Sequence, residues 1–374
     1  MLSIYAVLAV ILLFGAKIRV RNWDDEFLSL GNTKILQGFC ALAIIIHHLS
    51  QVLTNSKILS PFKDFGVLFV GIFFFCSGYG IIKSFKTKEN YLKGFFGKRL
   101  PAVLIPFYLT TLIFMAVFLA TSQNVPLSQI ILGVTGILLV NGHAWYIVAI
   151  VLFYTAFYFI FKHIKNEKLA FWCMLLFIMC YTAVSFLLRH GPWWLQGEWW
   201  YNTCLLFFIG MLTARFEHAI IGKIKKYYVV FLPAAIAAFA VMFKISLFTL
   251  NKFTYYAQSA VKSGYTESLI CFSTQLPAVI LFVAAVFILS MKVTFNNVIL
   301  RFLSKISLEL YLIHNLFIIL YGSGIIKNDL LYVILVVVTA IASAFVIHLA
   351  DKALIKLIAR KKRLPVKAAE GDGI

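Results

Sequence analysis

Acidic side chains are scarce in this 374-residue chain: 14 Asp and Glu stand against 34 Lys and Arg, and the four types together make up only 13% of residues. A soluble domain carries roughly a quarter charged residues, so water is not the main solvent of this chain. Cysteine is also sparse, and Cys40, Cys76, Cys173, Cys180, Cys204 and Cys271 lie in or beside apolar runs with no CxxC pair or Cys/His cluster. That spacing predicts no metal site and no disulfide framework; the thiols are expected to be reduced and buried. Low-complexity tracts, internal repeats and a soluble domain are all lacking. The formal net charge of +20 invites a nucleic-acid partner. The cations, however, sit in short loops beside apolar spans rather than on one amphipathic face, and no nucleic acid is expected.

Apolar residues are abundant, at 62% with a mean hydropathy of +0.93. Crossing a hydrocarbon layer about 30 Å thick takes roughly 20 apolar residues per helix. Such runs occur at 2–16, 34–53, 64–82, 100–121, 144–161, 169–188, 200–214, 227–247, 267–290, 306–321 and 330–351. The fold class read from them is all-α: a polytopic integral membrane bundle of eleven transmembrane helices, ten in a core over 34–351 and one in an N-terminal unit over 1–33. A basic tail, 352–374, follows. Met1 to Ala16 carries no charge and its cations come afterwards, so it reads as a retained helix rather than a cleaved signal.

A further run, 127–141, is short and interrupted by Gly133 and Gly136. Basic loops stay in the cytoplasm. If 127–141 is re-entrant or interfacial, the inside segments are 17–34, 83–99, 162–168, 215–226, 292–305 and 352–367, and they hold 27 of the 34 Lys and Arg. The N-terminus is then outside, and the C-terminus, with Arg360 to Arg363 as an anchor to membrane lipids, is cytoplasmic. The bias toward Lys, Ile and Phe suggests a bacterium, hence its cell (inner) membrane. An outer loop carries Trp193, Trp194, Trp199 and Trp200, which read as interfacial anchors or as a platform for stacking sugars.

Ionisable groups within a bilayer are costly and mark function. Glu309 is the one acid clearly inside a run; the histidines there are His47, His48 and His314, with His348 near an end. Gln37 and His48 are eleven residues apart, close to three helical turns, so they share a face about 16 Å long. Lys34 lies within about 40° of that line and His47 points away from it. A polar mouth with an imidazole far up the same face suits a long anionic ligand such as coenzyme A. Imidazole titrates near about pH 6.5, so His48 can take a proton from a hydroxyl or carry an acyl group. Against this stands a His that merely bonds a neighbouring helix. The Ser77-Gly78-Tyr79-Gly80 run sits near the cytoplasmic end of its span, where free amides would meet phosphate, with Lys98 and Arg99 beyond it. Ser307, Tyr311 and His314 share one face, with Glu309 on the other side.

The segment from Gln37 to His48, followed by Phe73-Phe-Phe-Cys-Ser-Gly-Tyr-Gly80, resembles the start of acyltransferase-3 family membrane proteins. Further strings keep the family's order: Lys98-Arg99 with Pro106-Phe-Tyr108, Gly142-His-Ala-Trp-Tyr146 with Phe153-Tyr154, Phe207-Phe-Ile-Gly-Met211, and Ile306 to His314. The likeness runs over about 34–350, and the order of the strings is more telling than any one of them. It implies transfer of an acyl group, usually acetyl from cytoplasmic acetyl-CoA, to a hydroxyl of a cell-surface or lipid-linked carbohydrate or glycolipid, an O-acetylation that modifies polysaccharide.

The family's essential His falls on His48. Its donor-binding positions fall on Gln37, Ser77, Gly78, Tyr79, Lys98 and Arg99, and the substrate cavity is expected at Trp145, Tyr311 and His314. Gln37 departs from the usual cation, a charge that Lys34 one turn earlier is expected to replace. Two other classes compete: a transporter or flippase, which calls for inverted repeats and helices broken near the midplane, and a non-catalytic assembly factor of the same fold.

Overall fold

A computed structural model describes residues 2–53, 59–121, 126–190, 195, 197–253, 255–256, 263–322 and 325–361. Apart from one two-stranded ribbon, β1 (Lys17–Ile18) against β2 (Val293–Thr294), these residues build helices. Eight are long and apolar enough to cross a membrane: α2 (Leu30–Val52), α3 (Gly66–Thr87), α5 (Pro101–Ala120), α7 (Trp145–His163), α8 (Glu167–Leu187), α11 (Tyr228–Lys252), α12 (Tyr265–Ser290) and α15 (Asp329–Lys361). Two bent pairs raise the number to ten: α9 (Leu205–Arg215) with α10 (Glu217–Lys226), and α13 (Val298–Lys305) with α14 (Ser307–Gly322).

Eleven crossings were expected, and α1 (Leu2–Leu13) accounts for the difference. Its 12 residues extend about 18 Å, well short of a bilayer core. Tyr5 stacks on Phe62, just past α2. At the other end of α1, Asn297 donates to the Ile11 and Phe14 carbonyls, so the helix lies along the bundle as a short pillar. The segment at 127–141 contains only α6 (Leu127–Thr135), nine residues ended by Gly136 in the left-handed region; it too is shorter than a crossing.

Five of the basic segments, 17–34, 83–99, 162–168, 215–226 and 292–305, meet at one end of the bundle. Lys225 pairs with Asp25 at 2.7 Å, Lys83 with Glu217 at 2.6 Å, and both Lys86 and Arg215 approach Glu167. Lys292 caps the Val20 and Asn22 carbonyls beside the β-ribbon, and Phe302 of α13 rests on Phe345 of α15. Both sharp bends fall at this end, where α10 carries Lys223, Lys225 and Lys226 and α13 carries Arg301 and Lys305. These short helices are amphipathic and basic, as interfacial helices are, and unlike a break at the membrane midplane.

Small residues set the closest approaches. A Cβ at Gly78 would strike the Phe207 carbonyl, and one at Gly210 the Phe75 carbonyl, so α3 and α9 touch backbone to backbone. Gly38 meets the Ser304 backbone in the same way and seats α2 on the α13–α14 bend. Gly210→Ala is expected to cost about 1–3 kcal/mol by overpacking. A wild-type midpoint in thermal unfolding of the detergent-purified protein would contradict this. Six free cysteines are present, but only Cys40, Cys204 and Cys271 are buried, and Cys180 faces outward. On a membrane helix an apolar position can face lipid as well as core, which is why sequence alone placed Cys180 inside.

Candidate active site

Away from the basic segments, three histidines from three elements converge. His48 comes from the last two turns of α2, His143 from the 3-10 turn Gly142–Ala144 that leads into α7, and His314 from the middle of α14. The His48 ring centroid lies 3.9 Å from that of His143 and 5.1 Å from that of His314; His143 and His314 are 5.5 Å apart.

Local bonds hold the rings of His48 and His314 and the backbone of His143. His48 Nδ1 meets Gln51 Oε1 at 3.1 Å, one turn along α2. His314 Nδ1 donates back to the Tyr311 carbonyl at 2.6 Å, which turns its buried Nε2, free of any bond, outward from the helix. Asn141 fixes the third: its Oδ1 accepts from the His143 amide at 3.1 Å and its Nδ2 donates to the Leu312 carbonyl at 2.7 Å, while the Tyr311 hydroxyl donates to the His143 carbonyl. The turn bearing His143 is thereby clamped to the helix bearing His314.

His47 bonds in a different direction, although its ring centroid lies 4.9 Å from that of His48 and Gln51 contacts both rings. The His47 Nδ1 donates to the Phe62 carbonyl at 3.0 Å and its ring fills the space left by Gly66. One turn from the histidines toward the basic end lies a small pocket bordered by Ile44, Val70, Phe73, Tyr146, Leu308 and Tyr311. Tyr311 borders this pocket, whereas Trp145 packs against Phe74 and Trp200 and its neighbour Tyr146 takes the position on the pocket wall. Successive residues at a helix start point about 100° apart, so a motif shared by both cannot say which faces in.

The predicted donor-binding residues divide. Lys34 is exposed and Gln37 half-buried at the basic end of the His48 helix, and Lys98 is exposed. Arg99, the last residue of the short helix α4 (Phe95–Arg99), is engaged: its Nε donates to the Tyr91 hydroxyl at 2.8 Å, and its Nη2 reaches the Gly80 carbonyl and the Ser84 hydroxyl. Burial pushes the Tyr91 phenol above its usual range despite the guanidinium beside it.

The Ser-Gly-Tyr run does not offer free amides. Helix α3 continues to Thr87, so those amides lie in its interior, spent on the helix itself. Ser77 bonds the Tyr146 hydroxyl at 3.0 Å, Gly78 carries the α3–α9 approach, and Tyr79 donates to Glu217 at 3.0 Å. Of the outer Trp residues, Trp200 is buried on Trp145, while Trp193 and Trp194 lie outside the described residues.

His143 is the residue that sequence reasoning passed over. It stands in the Gly142-His-Ala-Trp-Tyr146 string but outside every apolar run, so a search for ionisable groups within spans does not reach it.

Comparison with protein families finds a match to a family described as an acyltransferase domain, over residues 33–349. No curated protein and no solved structure matches the chain.

Proposed function

Because the chain belongs to the acyltransferase-3 family, and is thus a multi-pass membrane acyltransferase, we propose that it moves an acetyl group from cytoplasmic acetyl-CoA to a hydroxyl of a lipid-linked or cell-surface carbohydrate in a bacterial inner membrane. The observation that carries this reading is the continuity of one helix face: Lys34 and Gln37 at the basic end of α2, the small cavity beside Ile44, then His48 among the histidines. A donor bound by its phosphates at the basic end would lay its pantetheine arm along that face and bring the thioester to His48.

In this mechanism His48 accepts the proton of the acceptor hydroxyl as its oxygen attacks the thioester carbonyl. The C–S bond breaks, CoA leaves as the thiol after taking up that proton, and the ester is formed. A site walled by Tyr146, Phe73 and Ile44 keeps bulk water from competing for the acyl group. The hydroxyls of Ser77 and Tyr146, bonded to each other, position the wall rather than act on substrate.

Lys34 tests the donor end. Lys34→Ala should raise the KM for acetyl-CoA by about five- to twenty-fold with kcat kept, the signature of lost ground-state binding. An unchanged donor KM in steady-state assays of the protein in lipid counts against Lys34 as the replacement for the cation missing at Gln37.

A further inference from the structure

A second cluster of ionisable groups lies on the other side of α14, away from the histidines. Glu309 of α14 faces His348 and Asp351 of α15, which stand one turn apart. His348 Nδ1 and Glu309 Oε1 are 2.6 Å apart, and one ligand atom from each of the three residues lies within 4.8 Å of the other two. Glu309 is 4% and Asp351 6% exposed. Asp351 Oδ1 and His348 Nε2 are buried without a hydrogen-bond partner, and Lys352, the next residue along, is exposed.

With both carboxyls ionised the cluster is incomplete in charge, and either a proton on Asp351 or a bound cation would complete it. Two carboxylates with a protonated imidazole leave one uncompensated negative charge in a low-dielectric setting, and with a neutral imidazole they leave two. A buried carboxylate oxygen without a donor adds to that cost. A divalent cation removes both deficits: it neutralises the carboxylates and occupies the unpaired Asp351 oxygen.

The ligand set also fits in kind. Two oxygens and one imidazole nitrogen suit a borderline cation such as Mn²⁺ or Zn²⁺, and bonds of about 2.0–2.2 Å place ligand atoms roughly 3–4 Å apart. The present spacings reach that range with shifts of about 1 Å.

We propose that Glu309, His348 and Asp351 form a divalent cation site that ties α15 to α14, the helix carrying Tyr311 and His314. Its role is structural, and it does not depend on the chemistry at His48.

The test uses the full chain in lipid nanodiscs, stripped with EDTA and titrated with Mn²⁺, free ion being read by electron paramagnetic resonance. One saturable site per chain is expected, with Glu309→Gln and Asp351→Asn each weakening it at least ten-fold and His143→Ala leaving it unchanged. Absence of saturable binding, binding unaltered in both carboxamide variants, or loss of binding in His143→Ala overturns the proposal. If the variants do not fold, wild type still decides: spin-echo modulation from one imidazole nitrogen on bound Mn²⁺ supports the site, and an all-oxygen shell refutes it.

Discussion

His48→Ala is expected to lower acyl transfer by about 10²–10⁴-fold, the usual contribution of a positioned general base. His47→Ala, one residue away, should stay within a few-fold of wild type. The contrast follows from where the two rings go. His48 reaches the rings of His143 and His314, whereas His47 is committed to the Phe62 carbonyl and the space over Gly66, a tie between α2 and the turn that follows it. His47→Ala therefore weakens that connection and lowers the thermal midpoint with little effect on the chemical step. Both variants are assayed as purified protein in lipid, with monodispersity and helicity measured alongside. Equal losses in the two variants, or a larger loss in His47→Ala, would mean that the α2 face has been wrongly assigned.

His143→Ala carries the second largest expected effect, about 10²-fold, concentrated in kcat rather than in the donor KM. Its ring is the nearest to His48, and three bonds from Asn141 and Tyr311 hold the turn that presents it. So much bonding on a three-residue turn is what pre-organisation requires, because a misplacement of about 1 Å at a reacting centre is enough to cost 10²-fold. Asn141→Ala should reproduce part of the loss, since it frees the turn while leaving the ring in place. A His143→Ala enzyme with wild-type kcat would reduce the cluster to a packing feature.

Much of the architecture was legible from composition alone. Five of the six basic segments assigned to one side meet at one end of the bundle through Lys225–Asp25, Lys83–Glu217, Arg215–Glu167 and the β-ribbon, because cations flanking apolar spans obey a rule that does not depend on packing. That successive residues His47 and His48 would bond different partners was legible too, since 100° per residue is geometry, but not that their rings would stay 4.9 Å apart.

Illegible were features that depend on which neighbour arrives. Whether Trp145 or Tyr146 borders the cavity is decided by Phe74 and Trp200. That the Ser77–Gly80 amides are spent follows from α3 continuing to Thr87, which no residue type in that stretch announces. The 12-residue length of α1 was hidden by an apolar run that continues through Phe14 to Ala16. His143 and the Glu309–His348–Asp351 cluster are tertiary meetings of residues far apart in the chain; Glu309 and His348 stood out as ionisable groups in or near apolar runs, but nothing in the sequence paired them with Asp351.

Release of free CoA from acetyl-CoA by the wild-type protein in nanodiscs, with a lipid-linked glycan extract as acceptor and His48→Ala as the paired control, tests the central claim most directly. Acceptor-stimulated CoA release by wild type, with ester appearing on the glycan and neither seen with His48→Ala, is the predicted result. Glycan acylation from another donor with no CoA released, or equal CoA release by both proteins, would contradict the account.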